Sequence, residues 1–566
     1  MAKYYIQSKG EIVLTQAEFR AQGGQGAVYV KGGLAYKIYA DQRHMIPPAK
    51  MQELSALTSP NIIRPVDLLL DERNKAVGYT MRQVENAYAL CQLFPRAFRQ
   101  RTNLTPEVAF SLVRKLEAGV QHVHANDILI VDLNDLNFLV AEDFSDLFFI
   151  DVDSYQTRSF PATALMESVR DRHARKFDEN SDWFSFAVVS FQMFTGIHPF
   201  KGTYPPLQKL KDKTQLLDTR MRGNISVLHP DVSVPAACLP FNVIPEIWRD
   251  WYSAVFDEGK RMPPPASLQA VITSVAAQIQ RQSGSDHFEI SELYEFDSEI
   301  ITHTDNITIT EKSIYSGGRK VAERPGHEVK TALTPRQRHL IAAWRDSAQV
   351  RFRDLSSGQD LNAEVSGNEL FVSGGRIYLR QESRLLEVSF TELPHTVLVN
   401  PRVVGNVLPN ATQVFEGVVI QNLLGAYYAS LLPASGVCYQ VRLKELDGYR
   451  VIEARAFRNV LIIVAAHGGT FDKFIYRFNE EFSDDDLRVI SDVALTGINF
   501  VVLDSGVCLH LTDNDELEIF ASRKGSAGIK VISDPAVRGD ARLFHAGAQA
   551  LIARGHKLCR LTMRQK

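Results

Sequence analysis

In the second half of the chain, pairs of short apolar runs separated by turn residues recur at a spacing of about 35 to 45 residues. Residues 369–372 pair this way with 376–379, 460–464 with 474–477, 500–503 with 507–510, and 550–553 with 557–560. Each first run is apolar enough to fill the inside of a stacked sheet. Even spacing of such pairs predicts an all-β propeller of five to seven blades, seven favoured, without a Trp-Asp signature. A β-sandwich is the alternative, disfavoured by the length of the segment and its regular spacing. Propellers mainly offer rigid docking faces, and this half holds no cluster of catalytic residue types. A protein substrate or regulator docking there is therefore expected by analogy of fold.

The first half has a different grammar. Leu116, Val120 and Val123 repeat at helical spacing, and 128–131 then runs like a short buried strand into Asp132-Leu133-Asn134-Asp135-Leu136-Asn137. Beyond it, 138–140, an acidic turn at Glu142-Asp143 and 147–150 read as a hairpin delivering Asp151. An Asp, an Asn five positions on, and a second Asp closing the next apolar run can orient a hydroxyl and hold magnesium on a nucleoside triphosphate. Alone the motif is weak, and a solvated acidic turn explains it as well. A second feature upstream changes that balance. Gln22-Gly23-Gly24-Gln25-Gly26-Ala27-Val28-Tyr29 is a glycine-rich turn that leads to Lys37 on the following strand. Glycines let backbone N–H groups approach phosphates, and a nearby Lys can reach them.

With these residues in view, the stretch from about 10 to 280 resembles the protein kinase superfamily. Ser181-Asp182-Trp183, Gly196-Ile197-His198-Pro199-Phe200 and Gly259-Lys260-Arg261 look like that family's F-helix start, its exit and its late C-terminal-lobe Arg. Asp132-Leu133-Asn134 with Asp151-Val152-Asp153-Ser154-Tyr155-Gln156 is similar, more narrowly, to bacterial helix-hairpin-helix-type atypical Ser/Thr kinases. The resemblance implies an α+β bilobal kinase fold, ATP and Mg2+ as cofactors, and transfer of the γ-phosphate to a protein Ser or Thr hydroxyl. By position, it implies that Asp132 orients the acceptor, Asn137 and Asp151 hold metal, and Lys37 contacts the phosphates. Gly23, Gly24 and Gly26 would form the lid, with Val28 beside them. Glu53 would pair with Lys37, although its spacing is short. Met81 and Gln83 would lie in the hinge whose backbone binds adenine. Asp182 should tie down the catalytic loop, and Asp153 reads equally as a polar turn residue or a metal ligand.

Departures from the pattern limit this reading. Ala21 stands where the first lid glycine is expected, Ile130-Val131 replaces His-Arg, and Asn134 replaces a Lys aimed at the γ-phosphate. Control by loop phosphorylation is therefore in doubt, and so is a protein acceptor. No clear Ala-Pro-Glu follows, and Arg170, Arg172, His173, Arg175 and Lys176 read as a solvated helix face more readily than as a phosphate dock. A nucleotide-binding pseudokinase scaffold and a small-molecule phosphotransferase stay open as alternatives.

The domains expected are a kinase domain at 1–280, a polar linker at 281–290 and a propeller at 291–566, each of the two large units with its own core. A chain of 566 residues with 45% hydrophobic content can fill more than one core. A net charge of −3 gives no basic field for nucleic acid or anionic lipid. The most apolar window, 418–439, is broken by Gln421, Asn422, Gly425, Pro433 and Gly436 and reads as paired strands, not a membrane span. A cytoplasmic location is expected. Cys91, Cys238, Cys438, Cys508 and Cys559 lack zinc or redox spacing and read as reduced, buried thiols, and His287, His303, His510 and His556 are scattered.

Overall fold

The structure, a computed structural model, describes residues 2–22, 25–162, 165–210, 212–265, 287–326, 328–522, 528–535 and 537–564. Gly23 and Gly24, the end of the expected kinase domain at 266–280 and residues 281–286 of the expected linker lie outside the described residues.

The N-terminal region begins with an antiparallel sheet of seven strands, in the order Gly10–Leu14, Ala2–Ile6, Asp67–Leu70, Ala76–Arg82, Leu34–Tyr39, Gly26–Lys31, Phe19–Gln22. Six α-helices among the described residues follow or interrupt it. The helix Pro106–His124 starts where Thr105 caps the Val108 N–H and Pro106 fills the first turn. Its buried face, Ala109, Leu112, Val113, Leu116, Val120 and Val123, keeps the 3–4 spacing of one helical stripe. The helix Glu179–Thr195 is capped by Asp178 and ends at Gly196, whose φ of 80° makes the left-handed turn. It is buried nearly all round and packs against Pro106–His124. A small sheet of Ala87–Ala89, Phe138–Ala141 and Leu147–Phe149 contains the hairpin expected before Asp151.

The strand expected at 128–131 does not form. Leu129 makes only an isolated bridge to Gln156, because Val131 has a φ of 64° and turns the chain out of extended geometry. The basic run after Arg170 is likewise not a helix face; Arg172 is held by Asp218 at 2.7 Å and Glu167 at 3.0 Å.

The C-terminal region is all β. Among the described residues it forms seven four-stranded antiparallel sheets, a propeller-like arrangement. Six sheets use four consecutive strands, whereas the seventh joins Phe288–Glu295 to Lys557–Met563, Gln549–Arg554 and Arg542–Ala546. The first strand of the region thus closes on its last, and it begins inside the stretch expected as linker. All four expected hairpins pair as read, and Val418–Leu423 pairs with Ala426–Leu431 in the window read as two strands. Strand Val460–His467 is buried at every position but the last, while the edge strand Asp485–Ile490 of the same sheet is half exposed.

Beside apolar clusters confined to each region, the two regions share one. One apolar cluster runs from Leu93 and Phe94 through the helices to Ile452, Ile462, Val464 and Phe500. Polar contacts seal the same boundary. Gln92 Nε2 donates to Ile452 O at 3.1 Å, Ala236 N to Asp515 at 3.1 Å, and Arg20 Nη1 to Asn410 O at 3.0 Å. No helix among the described residues is long and apolar enough to cross a membrane. All five cysteines are free; Cys91, Cys508 and Cys559 are buried and Cys238 and Cys438 half-buried.

Candidate active site

The loop bearing Asp132 is fixed from below. Asp182, fully buried at the start of its helix, accepts Ile130 N and Val131 N at 2.8 Å each and meets His124 Nε2 at 2.9 Å. This is the tie-down expected of Asp182. It also explains how a β-branched residue sits at a positive φ: strain of about 1–3 kcal/mol persists only where surrounding contacts over-determine it, and hydrogen bonds to a charged group contribute about 1.5–3 kcal/mol each. Farther along, Asn134 is buried and turned inward, its Oδ1 accepting Leu136 N at 2.9 Å. It braces the loop instead of reaching into the cleft.

Asp132, Asn137, Asp151 and Lys37 come together at one cleft. Asn137 Nδ2 donates to Asp132 O at 2.9 Å and to Asp132 Oδ2 at 3.3 Å. Lys37, on Leu34–Tyr39 opposite Val28, brings its ammonium to 3.0 Å from Asp151 Oδ1 and 2.7 Å from Asp153 Oδ2. Burial opposes a charge on Lys37, but the Asp153 and Asp151 carboxylates outweigh it and raise the ammonium pKa. Burial also works against ionised Asp153, yet the Lys37 charge and hydrogen bonds from Lys37 and Tyr39 hold its carboxyl below the usual range. Asp151 itself has a φ of 58°, a second left-handed residue in the site.

The expected Lys37–Glu53 pair is not made. The helix Pro48–Leu54 turns Glu53 outward, where its carboxylate accepts Ser159 N at 3.2 Å. Lys50 of that helix points inward and donates to Asp153 O at 2.7 Å. Gly26 has a structural need for glycine: a Cβ there would lie 2.1 Å from Ile38 O on the neighbouring strand. In the segment expected as the hinge, Met81 lines the cleft and pairs with Ala35, whereas the Gln83 backbone N–H donates to Gly33 O at 3.2 Å. A purine would have to find its backbone donor elsewhere in that segment.

Three features escaped the sequence reading. Arg261 forms a two-pronged pair with Asp171 at 2.6 and 2.8 Å, which ties the segment after Met166 to the end of the helical region. The signal was an Asp between Arg170 and Arg172, masked by the basic run around it. Second, Met166 N donates to Asp132 Oδ1 at 2.8 Å, and the Gly468-Gly469 turn of the all-β region backs directly onto Met166. Third, Arg450 of that region donates to Leu136 O at 3.0 Å within the Asp132 loop. The cleft runs on without a break into the space bounded by the seven sheets, giving a cavity of about 1960 Å3. Between Asp132 and Asn137, burial pushes the Asp135 carboxyl up to about 6.

No family model matches the chain. A probable serine/threonine-protein kinase of Dictyostelium discoideum is similar to it, at 22% identity over 162 residues. That match takes in 28% of this chain and 12% of the relative's length. This partial likeness points toward the protein kinase superfamily.

Proposed function

We propose that the chain is a magnesium-dependent phosphotransferase of the bilobal protein kinase type, moving the γ-phosphoryl group of ATP to a protein Ser or Thr hydroxyl, with the seven sheets forming a propeller that docks the partner. The observation that carries this reading is the convergence of Lys37, Asp132, Asn137 and Asp151 on one cleft from separate elements. Val28, Ala35, Met81, Leu139 and Ile150 give that cleft apolar walls suited to a purine.

The donor set fits the metal. Asn137 commits its NH2 group to Asp132 and keeps its carbonyl oxygen for a cation, in the cleft that Asp151 also lines. Two hard oxygen donors suit magnesium, which completes its shell with phosphate oxygens and water. Consistent with so sparse a set, no three His, Cys, Asp or Glu side chains converge on a metal position among the described residues. When bound, magnesium neutralises charge on the phosphates. Lys37 orients the α- and β-phosphates. Asp132 takes or orients the acceptor proton through Oδ1 once the Met166 N–H withdraws, while Asn137 keeps the carboxylate aimed. The buried Arg261–Asp171 pair supports the family reading by anchoring the segment after Met166.

One observation favours a second reading, a nucleotide-binding scaffold without turnover: Asp132 Oδ1 is already occupied by Met166. Incubation of the full chain with magnesium, γ-labelled ATP and candidate proteins separates the two. Label on Ser or Thr supports the proposal, label on a small-molecule hydroxyl moves the acceptor class, and ATP binding without any transfer supports the scaffold.

A further inference from the structure

Lys37 has two carboxylate partners that differ in what surrounds them. The Asp151 side chain is 39% exposed toward the cleft, whereas that of Asp153 is 3% exposed. Asp153 Oδ2 receives both the Lys37 ammonium at 2.7 Å and the Tyr39 hydroxyl at 2.5 Å. Its own carbonyl receives Lys50 Nζ at 2.7 Å. Resting on the phosphotransfer reading above, we propose that Asp153 is the positioning residue that fixes the Lys37 ammonium toward the phosphates, in place of a glutamate borne on the helix Pro48–Leu54.

An ammonium has three N–H donors, two of them held here by carboxylates, and it turns fully to the phosphates when one carboxylate releases it. Asp151 is able to do so, because its carboxylate faces the open cleft and can exchange Lys37 for other partners. Asp153 cannot: removing Lys37 would leave a buried charge without compensation. Both carboxylates also belong to one piece of backbone. Asp151 adopts the left-handed conformation and the 3-10 turn Val152–Ser154 follows at once, so a single turn sets the cleft-facing acid and the anchoring acid two positions apart. The helix Pro48–Leu54 joins this unit through Lys50 and the Asp153 carbonyl, while its acid, Glu53, faces Ser159. A shift of that helix would therefore reach Lys37 by moving the Asp153 turn, not by swinging a glutamate in or out.

The test uses the full chain carrying Asp153→Asn, Tyr39→Phe or Glu53→Gln. Affinity is measured by calorimetry for ATP and for adenosine, which lacks the phosphates. In the ligand-free protein, the rate at which an amine-reactive acetyl ester modifies Lys37 is followed by mass spectrometry. Asp153→Asn should weaken ATP binding about tenfold or more and leave adenosine within about twofold, with Lys37 acetylated several times faster. Tyr39→Phe should shift both readouts the same way by less, and Glu53→Gln should change neither. Equal losses for ATP and adenosine in Asp153→Asn would reveal a merely structural role and overturn the proposal. So would a larger loss in Glu53→Gln. Should Asp153→Asn fail to fold, Tyr39→Phe decides, and unchanged ATP affinity with unchanged acetylation overturns it. Failure of the parent to bind ATP would instead remove the phosphotransfer reading, leaving the order of Lys37 acetylation to decide the anchor.

Discussion

In the helix-bearing region, the loop that presents Asp132 is held by a few polar side chains: Asp182 takes two backbone N–H groups beside the strained Val131 and meets His124, and Asn134, Asn137 and Arg450 brace the rest. In the all-β region, strand Val460–His467 is held by apolar neighbours on both faces, and the same sheet plan recurs seven times. One half concentrates its order in single polar contacts, and the other distributes it over a repeated core. Chemistry needs the first kind, because a strained loop must be aimed to a fraction of an ångström. A docking frame, the role proposed for the all-β region, needs only the second.

The largest expected effect breaks the boundary between these halves. Expression of the chain without residues 287–566 should give a protein that aggregates or unfolds, since Leu93 and Phe94 share a core with Ile452 and Phe500. A soluble, cooperatively melting fragment would show that the shared core is dispensable. Next, Asp182→Ala should cost about 4 kcal/mol in denaturant unfolding, because it strands several buried donors at about 1–3 kcal/mol each. Tolerance of that change would mean that Val131 does not depend on Asp182.

Within the repeated core, Ile462→Ala should cost about 3 kcal/mol through a cavity. Removing the exposed Arg353–Asp360 pair by Arg353→Ala should leave the melting temperature unchanged. A marked loss there would place single polar contacts in charge of the ring as well.

A pH dependence is expected in both halves. Burial pushes His198 in the helical region down to about 3, and His303 and His510 in the all-β region down to about 4. Their unfolded forms take up protons that the native forms refuse, so their stabilising contribution is complete above about pH 6.5 and is lost as pH falls toward 4. Asp135 works the other way. Its native carboxyl, at about 6, binds protons that the unfolded one has released, so its contribution weakens as pH rises through that window. The three histidines should outweigh Asp135 and the other carboxyls that burial raises, Glu117, Glu142, Glu311 and Glu453 among them, and give a net fall in melting temperature from pH 7 to pH 4.5. A flat profile would mean that these histidines charge within the native state.

Local pattern made part of this molecule legible. The hairpins of the all-β region followed from apolar runs and turns, whereas the Asp182 tie-down came from the resemblance of Ser181-Asp182-Trp183 to a kinase helix start. The choice of partner for Lys37 was not legible, because Asp153 lies 116 residues away and its approach depends on the left-handed Asp151. Periodicity missed the turn at Val131 since four β-favouring apolar residues precede Asp132 and nothing local announces a positive φ. Asp171 was hidden by the cations around it. The shared core was invisible for a similar reason: composition shows that a chain can bury apolar surface, not which halves bury it together.

The proposed transfer of phosphate in the cleft of the helical region runs through Asp132. Comparison of the full chain with Asp132→Asn, measuring magnesium-dependent ATP affinity and label transfer from γ-labelled ATP on the same samples, tests this most directly. Affinity should be unchanged and transfer reduced about a thousandfold or more. Transfer that persists in Asp132→Asn at the parent rate would contradict this role of Asp132.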